Sequence, residues 1–545
     1  MVSSFFCTIK LKNMKRTFLR SLFIAGIAMI GTVVNAANVN VTAPITTNTT
    51  WTSDNTYILF GEITVKNATL TIQPGTVIKA DATSLSRLVV TRSGKLVANG
   101  TATNPIVFTS NAATPDRGDW GGISILGNAP LNVTDANGNP ITKILECGTA
   151  PDYEFGGANA DDSSGVLTYV RIEYAGYICG TNTELNSLSL GGVGRKTVIN
   201  HISILYSLDD AIEIWGGNVN IDHFATFSTR DDDFDTDNGW SGKAQFGLIV
   251  RDPMIVDEAD LSNGFESDND SEGSYKTPAT SGVLSNITVV GPAETVGSTI
   301  GIQNGYGARL RRNTAQSIFN SVFIGFNYGL YLEGAGTQGK ALGDTLEYKN
   351  NVIGGSVLSA WKGTFDSIYL ANPTTSNTVF GGNANDDVKL TAPYSYLSSY
   401  TNFVPQATSP LLGAADFTYS KLSNGFQTVT YQGAFAAGDN WLQGWAGYAE
   451  PTGINSAKAY FGEVAVFPNP ANSVVNVKVV SKETIHNATL DVMDISGRLV
   501  HSENVSIATG NNNFSFDVNA IANGLYFVRV AGADFSVSRK VSVAK

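Results

Sequence analysis

Only three cysteines and four histidines occur in 545 residues, and charged side chains make up 15% of the chain, against ~25% in ordinary soluble domains. The histidines stand apart at 201, 223, 486 and 501, so no His/Cys cluster of the zinc-binding kind can be read from the sequence. Scarce Lys and Glu leave few strong helix formers, and no helical period survives from about Trp51 onward through the middle of the chain. Glycine is plentiful at 56 residues, beside 27 Phe and 20 Tyr in a chain that is 42% hydrophobic. Such a composition favours short strands and sharp turns around a large core, an all-β expectation.

Charge is unevenly spread. Residues 1–36 hold five basic and no acidic residues, and residues 461–545 hold seven of each. The stretch between them therefore carries 23 basic against 40 acidic residues, a net of −17. A surface this acidic repels phosphate backbones, which excludes nucleic acid as a partner and favours divalent cations and neutral or cationic glycans.

Lys10, Lys12, Lys15, Arg16 and Arg20 precede the apolar run Leu22–Val34, which ends in small residues at Asn35-Ala36-Ala37. This is the pattern of a secretory signal peptide over residues 1–36, with Met14 as an alternative start. The run is too short and too interrupted by Gly to span a membrane comfortably. After cleavage Cys147 and Cys179 remain. An even pair in an exported protein is expected to form one disulfide, worth roughly 2–4 kcal/mol, with two free buried thiols as the alternative.

From Trp51 short β-rich segments follow one another with turns of a few residues, as in Tyr57–Phe60, Thr69–Ile72, Thr76–Ile78, Leu88–Val90, Lys95–Val97 and Pro105–Phe108. An Asn repeatedly precedes an apolar strand, at Asn200, Asn218, Asn286, Asn320 and Asn351, and Asn tolerates the left-handed backbone of a sharp corner. The irregular spacing of these residues suits coils carrying loops of differing length. A parallel β-helix combines all these features, and ~22–25 residues per coil gives roughly 15 coils and a cylinder about 70 Å long. Asn67-Ala-Thr-Leu-Thr-Ile-Gln-Pro-Gly-Thr-Val-Ile-Lys79, Gly100-Thr-Ala-Thr-Asn-Pro-Ile-Val-Phe-Thr-Ser110, Arg117-Gly-Asp-Trp-Gly-Gly122, the segment Ser163–Tyr174 and Asp231-Asp-Asp-Phe-Asp-Thr-Asp-Asn-Gly239 resemble a large family of secreted bacterial right-handed parallel β-helix proteins. The resemblance implies the fold over residues 37–455, but no settled activity.

Beyond Pro451-Thr-Gly-Ile-Asn455 the charge is balanced and the strands alternate cleanly, as in a small β-sandwich. Pro468-Asn469-Pro470, Asp494 with Gly497-Arg498, and Gly524 with Tyr526 resemble the type A C-terminal sorting domain of the type IX (Por) secretion system. For residues 456–545 this implies a C-terminal Ig-like sandwich read by the type IX secretion machinery, and a protein that is secreted or held at the outer-membrane surface.

Acidic clusters are the candidates for chemistry. Asp231, Asp232, Asp233, Asp235 and Asp237 put five carboxylates in seven residues, and Glu266, Asp268, Asp270 and Glu272 form a second run. Like charges this dense ask for a counter-ion, and Ca2+, with its six to eight oxygen ligands, is the expected one. Asp268 to Gly273 begins like a calcium loop, but Ala279 stands at its twelfth position, so it is no EF-hand. Solvent-facing or turn-capping acids are the plain alternative. Asp209, Asp210 and Glu213, with Asp235 and Asp237, are the candidates for sugar hydrolysis. Asp209-Asp210 resembles one element of polygalacturonases, whose other motifs are missing, and Arg230 or Arg251 could serve a calcium-dependent lyase as base unless paired with Asp231 or Asp252. Trp120, Trp240, Trp441 and Trp445 sit beside or near Gly and either stack on sugars or plug corners of the coil. Arg309, Arg311 and Arg312 are expected on a solvated or ion-paired face. The sequence thus points to an exported structural or adhesive module contacting polysaccharide, with a lyase or glycoside hydrolase as the alternative and the question of an enzyme left open.

Overall fold

The computed structural model describes residues 37–545 apart from 181–182, 254, 258–259, 299, 396–398, 449–460, 483, 495–498 and 532–535. The expected signal peptide, the boundary at 455/456, Gly497 and Arg498 lie outside the described residues.

Residues 37–380 wind as a right-handed parallel β-helix. Its front sheet is a ladder of ten parallel strands, from Glu62–Val65 to Ser359–Trp361. Each strand places alternate side chains inward, and parallel register stacks them into columns. One such column runs Ile63, Leu88, Ile123, Leu188, Ile212, Phe234, Phe265, Ala308 and Leu330, every member of it buried. The back sheet has seventeen strands. Its five longest, Gly165–Glu173, Val198–Leu205, Asn220–Phe227, Lys243–Val250 and Val283–Val290, are each bent at the middle. Toward either end of the helix the two halves become separate strands, so that Lys95–Asn99 pairs with the first half of Gly165–Glu173 and Ile106–Ser110 with the second.

Ten front rungs replace the roughly fifteen expected, giving a ladder of about 45–50 Å at ~4.8 Å per rung. The difference has two sources. Long excursions leave the coil, notably residues 127–164 and 174–187 on either side of the strand Gly165–Glu173, and residues beyond about 390 do not coil at all.

The bends carry a ladder of left-handed residues: Tyr169, His201, His223, Phe246, Asn286, Asn320 and Asn350, with φ between 50° and 59°. Asn286 and Asn320 take this conformation as expected. At Asn200 it passes to His201 and at Asn351 to Asn350, while Asn218 is not among them. A left-handed bulky residue costs about 1–2 kcal/mol, and stacking offsets it: Tyr169, His201, His223 and Phe246 pile with centroids 4.2, 4.4 and 4.8 Å apart. The pile continues as an amide ladder, in which Asn350 Nδ2 donates to Asn320 Oδ1 at 2.8 Å.

Residues 404–448 return along this corner as a strap. Asn350, Asn320, Gln245 and Asn286 donate to the carbonyls of Ala414, Asp416, Gln427 and Tyr431 at 2.7–3.1 Å. Trp445 packs edge-on against Tyr169 and His201 at 5.5 and 5.4 Å, and Trp441 against His223 at 5.0 Å. Burial and the neighbouring His223 hold the His201 imidazole down at about 4, so it is neutral at ordinary pH. The four tryptophans raised above are thus packing residues. Trp120 donates to Glu173 O and Trp240 to Val219 O, at 2.8 and 3.1 Å, and Trp240 fits because a Cβ on Gly282 would lie 2.0 Å from its ring. Helix Thr364–Ala371 follows the last front strand and adds Tyr369 and Leu370 to the interior.

The C-terminal strands form two antiparallel sheets of three and four strands, compatible with an Ig-like sandwich. Their apolar core, including Val475, Val477, Leu490, Val492, Phe516, Val528 and Val541, is built wholly from residues 464–543. Asn469 Oδ1 accepts from Ser542 N at 2.9 Å, Tyr526 Oη donates to Ala522 O at 2.9 Å, and Asp494 stands in register with Tyr526. Gly524 opens the strand that carries Tyr526, and Pro468 and Pro470 lie on the connection between the first two strands.

Trp445→Ala removes a fully buried ring and should destabilise the protein by about 3–5 kcal/mol, read as a lower denaturation midpoint in guanidinium. A change below 1 kcal/mol would mean that the strap does not contribute to the fold.

Candidate functional site

On the outer face of the front sheet the residues Ser189, Glu213, Asp235, Glu266, Arg309 and Tyr331 stand in register on six successive rungs. Acids therefore lie directly above acids. The turns entering these strands repeat the pattern, since Asp209, Asp210 and Glu213 each precede Asp231, Asp232 and Asp235 by 22 residues, one coil. Oxygens of Asp209, Asp210 and Asp231 fall within 4.8 Å of one another, and so do oxygens of Asp210, Glu213 and Asp235. Asp210 joins the two groups.

Part of this cluster is structural. Asp210 accepts the Asp232 N–H at 2.8 Å, and Asp232 accepts the Asn263 N–H, so each caps the next coil. Glu213 accepts from Asn186 Nδ2 at 2.5 Å. Asp231 Oδ1 and Asp235 Oδ1 are buried without a hydrogen-bond partner. Such atoms are expensive to leave unmatched.

Loops from the long excursion close over one side. The Cys147–Cys179 disulfide, with Cα atoms 6.1 Å apart, ties the segment holding Glu146 to the hairpin holding Glu184. Both add negative charge beside Asp209. Lys143 stands among the acids, bonded to Asn238 Oδ1 at 2.8 Å with its ammonium 5.4 Å from the Trp215 ring.

The electrostatics follow from burial and crowding. Burial first, then neighbouring carboxylates, pushes Asp209, Asp210, Glu213, Asp231 and Asp235 well above the ordinary carboxyl range. Burial also raises Asp232 and Glu266 well above that range, against the pull of arginines. Asp237 is pushed up to about 6 by burial, with Lys143 opposing.

The other expected ligands are committed elsewhere. Asp233 is fully buried against Arg251 Nη1 at 2.8 Å. Asp268 is bonded by Arg311 and Arg312 at 2.9 and 2.6 Å. Asp270 accepts from Glu272 N and Ser274 N within its own loop, at 3.0 Å each, and exposed Glu272 lies 3.6 Å from Lys276. Arg309 pairs with Glu266 and Glu333 at 3.2 and 2.9 Å, so the arginine cluster is an ion-paired face. Arg230 reaches Asp257 at 2.9 Å instead of the adjacent Asp231. Sequence reasoning grouped Asp209, Asp210 and Glu213 with Asp235 and Asp237 as candidates for catalysis but left Asp209 and Asp210 out of the metal set that held Asp231 and Asp235; the 22-residue offset was the available signal. Glu146 and Glu184 had none.

Two predictions follow from these contacts. Arg251→Met strands the Asp233 carboxylate and should cost about 3–5 kcal/mol, measured by denaturant unfolding; a neutral result would mean that the pair is dispensable. The second concerns pH without added metal. Carboxyls raised in the folded state hold protons that the unfolded chain has already released, so stability falls as pH rises from about 4 through 6 and beyond. His201, depressed when folded, acts in the opposite sense, but seven strongly raised carboxyls outweigh one imidazole. In EDTA the melting temperature should be higher at pH 5.5 than at pH 7.5, and the reverse order would show that the cluster ionises freely.

Comparison with known proteins agrees with this architecture. Residues 465–544 match the secretion system C-terminal sorting domain, which marks the protein for export and for attachment at, or release from, the cell surface, and implies engagement of the type IX secretion machinery. No curated protein matches the chain. Among solved structures the Dettilon tailspike protein aligns over 89% of this chain and 88% of its own at 8% identity, with a TM-score of 0.20, too low to bear on fold or function. Residues 43–391, more than half of the chain, match the pectate-lyase like β-helix domain, and the protein belongs to that family.

Proposed function

We propose that this exported β-helix is a structural or adhesive module that binds polysaccharide along the outer face of its front sheet, with Ca2+ held by the carboxylates around Asp210. The observation that carries the metal reading is the convergence of Asp209, Asp210, Glu213, Asp231 and Asp235 within 4.8 Å in two linked groups, with buried unmatched oxygens on Asp231 and Asp235. All the donors are hard oxygens, the chemistry calcium prefers, and the irregular geometry suits calcium better than magnesium. Bound calcium would neutralise the cluster and let it stay ionised at neutral pH.

Convergent carboxyls with raised proton affinity also favour a second reading, a glycoside hydrolase. A lyase is less well supported, because Arg251 is buried against Asp233 and Arg230 is occupied by Asp257. A glycan array scored for both retention and product release separates binding from turnover.

Calcium at about 100 times its Kd should stabilise the protein by about 2.7 kcal/mol, raising the melting temperature over that in EDTA, and Asp210→Asn should abolish the response. An identical melting curve with calcium and with EDTA would retire the metal.

A further inference from the structure

A second feature of the front sheet lies several rungs beyond the acids, toward the C-terminal end of the coil. Tyr306, Tyr328 and Ser359 stand in register on the last three front strands, and Tyr331 follows Arg309. The Tyr306 and Tyr328 rings stack with centroids 5.5 Å apart, and Tyr331 lies 5.2 Å from Tyr306. Lys362 places its ammonium 4.3 Å from the Tyr328 ring centre and donates to Tyr328 Oη at 3.1 Å. Beside them opens a shallow cavity of about 410 Å³ lined by Tyr328, Ser359, Trp361, Lys362, Thr364 and Ser367, among others. Trp361 leaves 36% of its surface exposed, whereas Trp51, Trp120, Trp215, Trp240 and Trp445 are buried. Trp361 follows Leu330 in register on the last front strand and leaves part of its ring open to solvent.

We propose that Trp361 is the stacking platform for a pyranose ring of the bound glycan, with Lys362, the Tyr328 hydroxyl and the hydroxyls of Ser359, Thr364 and Ser367 as its polar contacts. The assignment rests on the polysaccharide-binding reading above and locates it.

The lining selects the occupant. A sugar presents an apolar C–H face edged by hydroxyls, and here an aromatic face is edged by hydroxyls and one cation. A protein partner would ask for a wider continuous apolar patch. The cation also draws an electron-rich oxygen ligand to a surface that is otherwise acidic. Arg309, 5.8 Å from the Tyr306 ring and bonded to Glu266 and Glu333, braces the platform from the acidic side. Four rungs separate the strand of Asp235 from that of Trp361, roughly 19 Å at ~4.8 Å each.

The test uses the full chain on a glycan array containing cellohexaose, xylohexaose, mannohexaose and hexagalacturonate, followed by titration of each ligand retained. The wild type should retain at least one, with a change in tryptophan fluorescence. Trp361→Ala and Tyr328→Ala should each weaken it about tenfold or more, and Trp361→Tyr should restore most of the affinity. Both sites are partly exposed, so melting curves close to wild type confirm that the variants fold. If Trp361→Ala and Tyr328→Ala bind as tightly as wild type, the platform is overturned while glycan binding stands. If the wild type retains none of the glycans, both are overturned.

Discussion

Parallel in-register stacking is the constraint on which everything else here depends. Each coil passes its backbone hydrogen bonds to the coils above and below, so equivalent positions repeat at ~4.8 Å along the axis. Inside, this is favourable: apolar columns such as Ile63 through Leu330 stack without a gap in register. Outside, the same rule forces like residues together. Glu213, Asp235 and Glu266 cannot avoid one another, because the register of the ladder leaves them no other place.

Two responses to that forcing appear on the same face. From Glu266 onward the outward column turns to Arg309 and then Tyr331, and the charges cancel in ion pairs. On the N-terminal side the outward column continues as Asp235, Glu213 and Ser189, and the carboxyls of Asp209, Asp210, Glu213, Asp231 and Asp235 are left to share protons or a cation. The corner of the back sheet solves a related problem by stacking. Its left-handed backbone is intrinsically unfavourable for Tyr, His and Phe, yet aromatic piling, the Asn ladder and the strap together over-determine it.

The fold was legible because its signals are local and repeated: short apolar strands, Gly-rich turns, and the paired motifs at the C-terminus. The number of coils was not, since nothing in residues 127–187 or 390–448 distinguishes an excursion or a strap from another coil. The Asn residues gave the corner correctly only at Asn286 and Asn320. Elsewhere tertiary stacking let His201, His223 and Phe246 occupy a conformation that no local propensity would assign to them. Site residues followed the same division. Dense acids were visible, but whether a given carboxylate meets an arginine, as Asp233 meets Arg251, or a neighbouring acid, as Asp235 meets Glu213, depends on coil register. That register becomes readable only when the length of each loop is known.

The loops held by Cys147–Cys179 sharpen what the acidic side of the face must be. Closing loops over a surface normally adds stability by covering apolar area, but these bring Glu146 and Glu184 toward carboxyls that are already crowded. Burial raises the cost of every negative charge beneath them, and Lys143, with Arg230 near Glu184, stands against it. Such an arrangement is unfavourable for the isolated polypeptide at neutral pH and becomes favourable once protons or a divalent cation enter. On the proposed calcium reading, the stability of this region is coupled to its occupancy, because an ion that binds only the folded chain favours that state.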